Sequence, residues 1–158
     1  MSDLIVRIVH LEPMRVAVGY AFGESPEYQA WEKVLAFARA KGLLDQPQRP
    51  RFFGFNNPDP SVGSPNYGYE QWMTIGPEVE AEGDVKVKEF PGGRYVVARF
   101  QGIQYIGEMW QQLVKWGETS GIELAPRQIL EELLSPVEDL DSPEKFVFDL
   151  YLPVADEA

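Results

Sequence analysis

The chain contains no cysteine, and its one histidine is His10. Without thiols there are no disulfides, no thiolate nucleophile and no zinc–cysteine site, which fits a reducing, cytoplasmic setting. A serine–histidine–aspartate triad could run only through His10. That residue follows the β-branched run Ile5-Val6-Arg7-Ile8-Val9 and is expected to be structural or on the surface. Basic residues are scarce: 14 Lys and Arg face 25 Asp and Glu, a net charge of −11. An acidic surface repels phosphate backbones, so direct nucleic-acid binding is not expected. It also favours cationic ligands, although net charge serves solubility as well. No apolar run approaches the ~20 residues that cross a bilayer, so no membrane partner is expected. Met1-Ser2-Asp3-Leu4 has no basic stretch leading into an apolar one, so no signal peptide is expected. No phosphate-binding glycine loop or metal-ligand cluster is visible, and neither a cofactor nor a metal is expected. The acid pairs Glu131-Glu132 and Glu24/Glu27 are weak catalytic signals in so acidic a protein.

What the chain does have is an internal repeat. An offset of 79 residues places Trp31 on Trp110, Arg15 on Arg94, Val18 on Val97, Gly23 on Gly102, Gly42 on Gly121 and Pro47 on Pro126. The same offset lays Tyr69-Glu70-Gln71-Trp72 on Phe148-Asp149-Leu150-Tyr151. The matches fall at turn glycines, helix aromatics and strand alternations. Duplication of one supersecondary unit follows, with half-repeats at about 1–79 and 80–158 of a single domain. Paired half-domains commonly leave a ligand groove between them.

Each half reads ββαββ. The first has strands at Ile5–Val9, Arg15–Tyr20, Phe52–Phe55 and Tyr67–Ile75. Ser25-Pro26-Glu27 signals a helix start, with Ser25 as N-cap and Pro26 at the first helical position. Trp31, Val34, Leu35 and Ala38 follow on one helical face, and Gly42 stops the helix. The second half has strands at Val85–Phe90, Arg94–Phe100 and Phe146–Val154. Its helix runs from about Gln104 to Thr119, with Ile106, Trp110, Leu113 and Val114 on one face and Gly121 as the stop. Gly117 falls on Ala38, so both helices are small at that point. Propensity alone suits 129–134 to a helix; the repeat suits it to a strand, and the strand is the expectation adopted.

Aromatic residues are abundant: four Trp, seven Tyr and nine Phe. Alternation puts Tyr67, Tyr69, Gln71 and Met73 on one face of their strand, with Gly68, Glu70, Trp72 and Thr74 on the other. Phe146, Phe148, Leu150 and Leu152 oppose Val147, Asp149 and Tyr151. The face with Glu70, Trp72, Asp149 and Tyr151 carries charge and is therefore expected not to be wholly buried. Rings beside carboxylates suit a flat cation.

Gly-Phe-Asn-Asn-Pro-Asp-Pro-Ser at 54–61, Tyr-Gly-Tyr-Glu-Gln-Trp at 67–72, Phe-Pro-Gly-Gly-Arg-Tyr at 90–95 and Asp-Leu-Tyr-Leu-Pro-Val at 149–154 together resemble the GyrI-like small-molecule-binding domain, also called the AraC-type effector-binding domain. The resemblance covers nearly the whole chain. It implies an α+β fold: a duplicated βαββ unit with pseudo-two-fold symmetry, a curved antiparallel sheet and two main helices. It also implies amphipathic, aromatic, cationic ligands in a groove along the pseudo-dyad. Members often carry a glutamate in the strand after the second helix. The matching stretch here is Leu130-Glu131-Glu132-Leu133, with leucines where rings are common. Glu131 is the carried-over ligand carboxylate, with Glu132 one register away and Glu70 a further alternative. Trp72, Trp110, Tyr151, Tyr69 and Phe55 are the expected ligand-lining rings.

Members usually report through a fused DNA-binding region, and no segment here suits one. Three functions follow from the resemblance. The first is a stand-alone receptor or sink for cationic aromatic compounds, with any signal passed to a separate protein. The second is a hydrolase of strained cyclopropanoid alkylating compounds, in which Glu131 activates water. The third is a gyrase-inhibiting protein partner, for which an acidic surface suits a DNA-binding target.

Overall fold

The computed structural model describes residues 4–136 and 141–156; Met1–Asp3, read above for a leader, lie outside them. The elements are β1 Val6–Leu11, β2 Met14–Gly23, α1 Glu27–Ala40, β3 Phe52–Asn56, β4 Tyr67–Thr74, β5 Lys86–Phe90, β6 Gly93–Gln101, α2 Ile106–Thr119, β7 Leu130–Leu133 and β8 Val147–Pro153. The class is α+β. Both helices have 14 residues, and both their starts and their ends are 79 apart. Residues 130–133 form a strand, as the repeat required and helix propensity did not. Each helix is followed by a left-handed glycine, Gly42 at φ 67° and Gly121 at φ 84°, a conformation that only glycine adopts without strain.

Ser25 does not cap α1. Pro26 takes the cap position with helical angles, and the helix begins at Glu27. The Pro26 carbonyl accepts the Ala30 N–H at 3.0 Å, which leaves Ser25 one residue outside the capping position.

The chain divides into two compact units, one of residues 13–91 and one of residues 1–12 with 92–158. In the first, the strands lie in the order β3-β4-β2-β5; in the second, β1-β6-β8-β7. All these pairings are antiparallel. β1 pairs with β6 and β5 with β2, so the units do not coincide with the linear halves. Each takes its outermost strand from the other half of the sequence.

In the 13–91 unit, α1 packs tightly on its strands. Ala30, Val34, Leu35, Phe37 and Ala38 are buried. Ala30 meets Ala21 and Tyr69, and Trp31 lies half-buried with its ring 5.2 Å from Phe52. A Cβ added at Gly19 would sit 2.6 Å from the Ala30 carbonyl oxygen. In the second unit, Leu113 is the buried anchor of α2 among Val96, Ala98, Leu150 and Leu152, with Ile106, Met109, Trp110 and Trp116 partly buried around it. The repeat puts Met109 where α1 has Ala30, and Ala98 where β2 has Gly19. A large side chain over alanine holds a helix off a sheet, whereas alanine over glycine lets it settle. α2 accordingly approaches its strands less closely than α1 does. Val114, expected on the packed face, is 38% exposed because Leu113 and Gly117 set the stripe.

This packing separates two glycines by their expected response to alanine. At Gly19 the obstacle is backbone, so Gly19→Ala should lower stability by about 1–3 kcal/mol in urea unfolding. At Gly117 the nearest atom is the movable Leu152 Cδ2, at 2.9 Å. There the helix propensity of alanine returns up to about 1 kcal/mol, so Gly117→Ala should be nearly neutral. Equal losses at the two sites would contradict the tight seating of α1.

Candidate functional site

Residues paired across neighbouring strands share a face, and this sorts the acids. In the second unit, Leu130 pairs with Tyr151, Glu131 with Leu150, and Glu132 with Asp149. Leu150 faces α2, so Glu131 does too, while Glu132, Asp149 and Tyr151 occupy the helix-free face. Glu131 is half-buried, and its Oε1 accepts the Trp110 indole N–H at 2.8 Å. The expected ligand carboxylate and one of the expected rings are thus brought together, under the loosely seated helix.

The helix-free face of this unit is an ion network. Asp149 is 2% exposed and accepts from Arg7 Nη2 at 2.6 Å and from Arg99 Nε at 2.9 Å. Glu132 is 4% exposed and accepts the Tyr151 hydroxyl at 2.6 Å. The Tyr151 ring meets Tyr95 edge-on at 5.7 Å. Burial pushes the Tyr95 phenol well up, only partly opposed by Arg127, so it stays protonated; its hydroxyl donates to the Gln128 carbonyl at 2.7 Å.

The 13–91 unit repeats the theme. Val18 pairs with Trp72, Tyr20 with Glu70 and Phe55 with Glu70, so these lie on one face, away from α1. Glu70 is buried, and three donors converge on it: Asn57 Nδ2 at 2.6 Å, Trp72 Nε1 at 3.0 Å and Lys88 Nζ at 3.0 Å. Phe55 meets the Trp72 ring edge-on at 5.0 Å, and Lys88 Nζ lies 5.4 Å from its centre. Tyr69 sits on the other face of β4, packed with Ala21 and Ala30 beneath α1. The six expected residues therefore form three groups: Glu131 with Trp110, Tyr151 with Glu132, and Trp72 with Phe55, while Tyr69 stands apart.

On the charged face Glu70, Trp72, Asp149 and Tyr151 are each at most 6% exposed, while Tyr20 on the same face stays 40% exposed, so the face is not wholly buried, as expected. Burial is tolerated because every carboxylate finds charged or aromatic donors. Those donors, Arg7, Arg99, Lys88 and Asn57, escaped the sequence reading. The repeat did not flag them: the repeat mate of Arg7 is Lys86, whereas the lysine that meets Glu70 is Lys88. Among the described residues no group of three or more potential ligands could hold a metal, and no helix is long and apolar enough to cross a membrane.

The α+β frame carries aromatic rings set against carboxylates, a combination that suits a small-molecule-binding domain. The family model makes this specific: residues 5–155 match the GyrI-like small molecule binding domain, and the chain belongs to that family. A search of curated proteins by sequence found no match. Solved structures share the fold. A hydrolase from Listeria innocua is 16% identical, with a TM-score of 0.70, over 98% of this chain and 94% of that one. The EcmrR C-terminal domain is 13% identical, with a TM-score of 0.73, over 98% and 99%. SAV2435 bound to tetraphenylphosphonium is 11% identical, with a TM-score of 0.61, over 96% and 94%.

The Glu70 cluster yields a pH prediction. Burial alone would raise its carboxyl; the hydrogen bonds from Asn57, Trp72 and Lys88, with the Lys88 charge, outweigh it and hold the carboxyl below its ordinary value of 4.5. A depressed folded-state value stabilises above the unfolded value and is lost as pH falls through the folded one. Glu70→Gln should therefore cost about 1–3 kcal/mol at neutral pH, and the gap to wild type should close in acid below about pH 4. A gap independent of pH in urea unfolding would mean that packing, not charge, is lost.

Proposed function

We propose that this domain binds an amphipathic aromatic cation at the Glu131–Trp110 pair. The observation that supports this reading is the 2.8 Å hydrogen bond from the Trp110 indole to a half-buried carboxylate, under a helix that is not tightly seated. A carboxylate partly shielded from water attracts a cation more strongly than an exposed one, because screening is weaker there. The indole offers its π-face to the same charge. Met109, Ile106 and Phe100 supply adaptable apolar surface on that side of the sheet. SAV2435, whose structure holds tetraphenylphosphonium, shares the fold and so gives the ligand class a precedent. The proposal takes the chain as one domain of two half-repeats, a view supported by helices that start and stop 79 residues apart.

The hydrolytic alternative uses the same carboxylate. A half-buried glutamate beside an indole N–H is chemically able to orient a water molecule. A similar fold in a protein described as a hydrolase keeps that reading in view.

Both readings are tested together by titrating a cationic dye and a neutral dye of the same ring system, then recovering them for mass spectrometry. Glu131→Ala should weaken the cationic dye by roughly ten- to a hundredfold and the neutral one far less. Equal losses would assign Glu131 to packing. Unchanged mass supports binding, and a gain of one water supports hydrolysis. Trp110→Phe should reduce ligand-induced quenching; undiminished quenching would place the dye elsewhere.

A further inference from the structure

The 13–91 unit holds a separate recess of about 460 Å³, within the size range of small-molecule sites. It exists because β5 begins at Lys86, opposite Val18, so Tyr20, two residues further along β2, has no β5 neighbour. The strand edge at that point is open, and Lys33 of α1 reaches across to donate to the Tyr20 carbonyl at 2.7 Å. Tyr20 leaves 40% of its surface exposed, on the same face as Val18 and Glu70.

The charge around this recess runs against the rest of the protein. Lys33, Lys86 and Lys88 line it, three of the six lysines in a chain of net charge −11. Two acids, Glu70 and Asp84, line it as well. The Glu70 charge is already satisfied by Lys88, with Asn57 and Trp72. Lys33 donates to a neutral carbonyl, and Lys86 makes no hydrogen bond or ion pair among the described residues. Two ammonium groups thus remain against the single carboxylate of Asp84. An exposed phenol ring and a valine stand beside them.

We infer that this recess is a second ligand site, one that takes a compact aromatic anion. Its acid group is held by Lys33 and Lys86, and its ring lies on Tyr20 and Val18. The site is independent of Glu131 and opposite in charge preference. The carboxylate–ammonium attraction supplies selection, and the phenol and valine supply contact area.

The test uses the intact chain and three probes with one ring system: 2-naphthoate, the neutral 2-naphthalenemethanol and the cationic 2-naphthylmethylammonium. Calorimetric titration should show naphthoate binding about tenfold tighter than the alcohol, with the advantage shrinking as salt rises. Lys86→Gln, a surface change that leaves the fold intact, should erase most of that advantage. Lys33→Gln should do the same, while Lys115→Gln, at an exposed lysine of α2 that does not line the recess, leaves naphthoate binding unchanged. If naphthoate binds no tighter than the alcohol, if the ammonium probe is preferred in Glu131→Ala, or if both lysine variants bind naphthoate like wild type, the inference is wrong.

Discussion

Two buried carboxylates govern this structure. Glu70 and Asp149 occupy the same place in the repeat, on the helix-free faces of their units, and both are almost inaccessible to water. Left unpaired, each would cost several kcal/mol, a large part of what a domain of this size has to spare. The partners come from far along the chain. Arg7 on β1 reaches Asp149, 142 residues away in sequence, and Lys88 on β5 reaches Glu70. The strands that bring these cations are the two that pair with the opposite half's sequence. Charge and strand exchange therefore belong to one arrangement. A slip of one residue in β4 or β8 would turn the acids toward the helices and strand the cations, so the pairs also hold the register.

The local features were legible before any coordinates. The helix pattern, the stop glycines Gly42 and Gly121 and the strand at 130–133 follow from short-range periodicity, turn chemistry and the 79-residue offset, and the family follows from the resemblance of four motifs. What was not legible is non-local. No periodicity reveals that Arg7 meets Asp149 or that β1 belongs beside β6. The burial of Glu70 and Asp149 themselves could not be foreseen, because charge predicts exposure only until a partner is found. The Ser25 cap failed because Pro26 itself entered the helical conformation. The expected face of α2 was off by one member because Val114 lies just outside the stripe that Leu113 and Gly117 define.

The adjacent acids of β7 show how one residue of register separates two kinds of chemistry. Glu131 and Glu132 point to opposite faces because strand side chains alternate. Glu132 is absorbed beside Tyr151 on the ion-paired face, where basic and acidic groups balance. Glu131 lies on the face that packs against α2, where it accepts the Trp110 indole N–H. The two helices differ for a reason visible in single residues. Alanine over glycine seats α1, and methionine over alanine loosens α2. One helix is therefore closely packed on its strands and the other less so.

The most direct test of this account is a nuclear magnetic resonance titration with tetraphenylphosphonium, observing the indole N–H signals of the four tryptophans, assigned by single Trp→Phe variants. The account predicts that the Trp110 signal moves most and saturates, because its hydrogen bond to Glu131 is remade around the cation, while the Trp72 signal, tied to Glu70, stays in place. Saturable binding that leaves the Trp110 signal unmoved would contradict it.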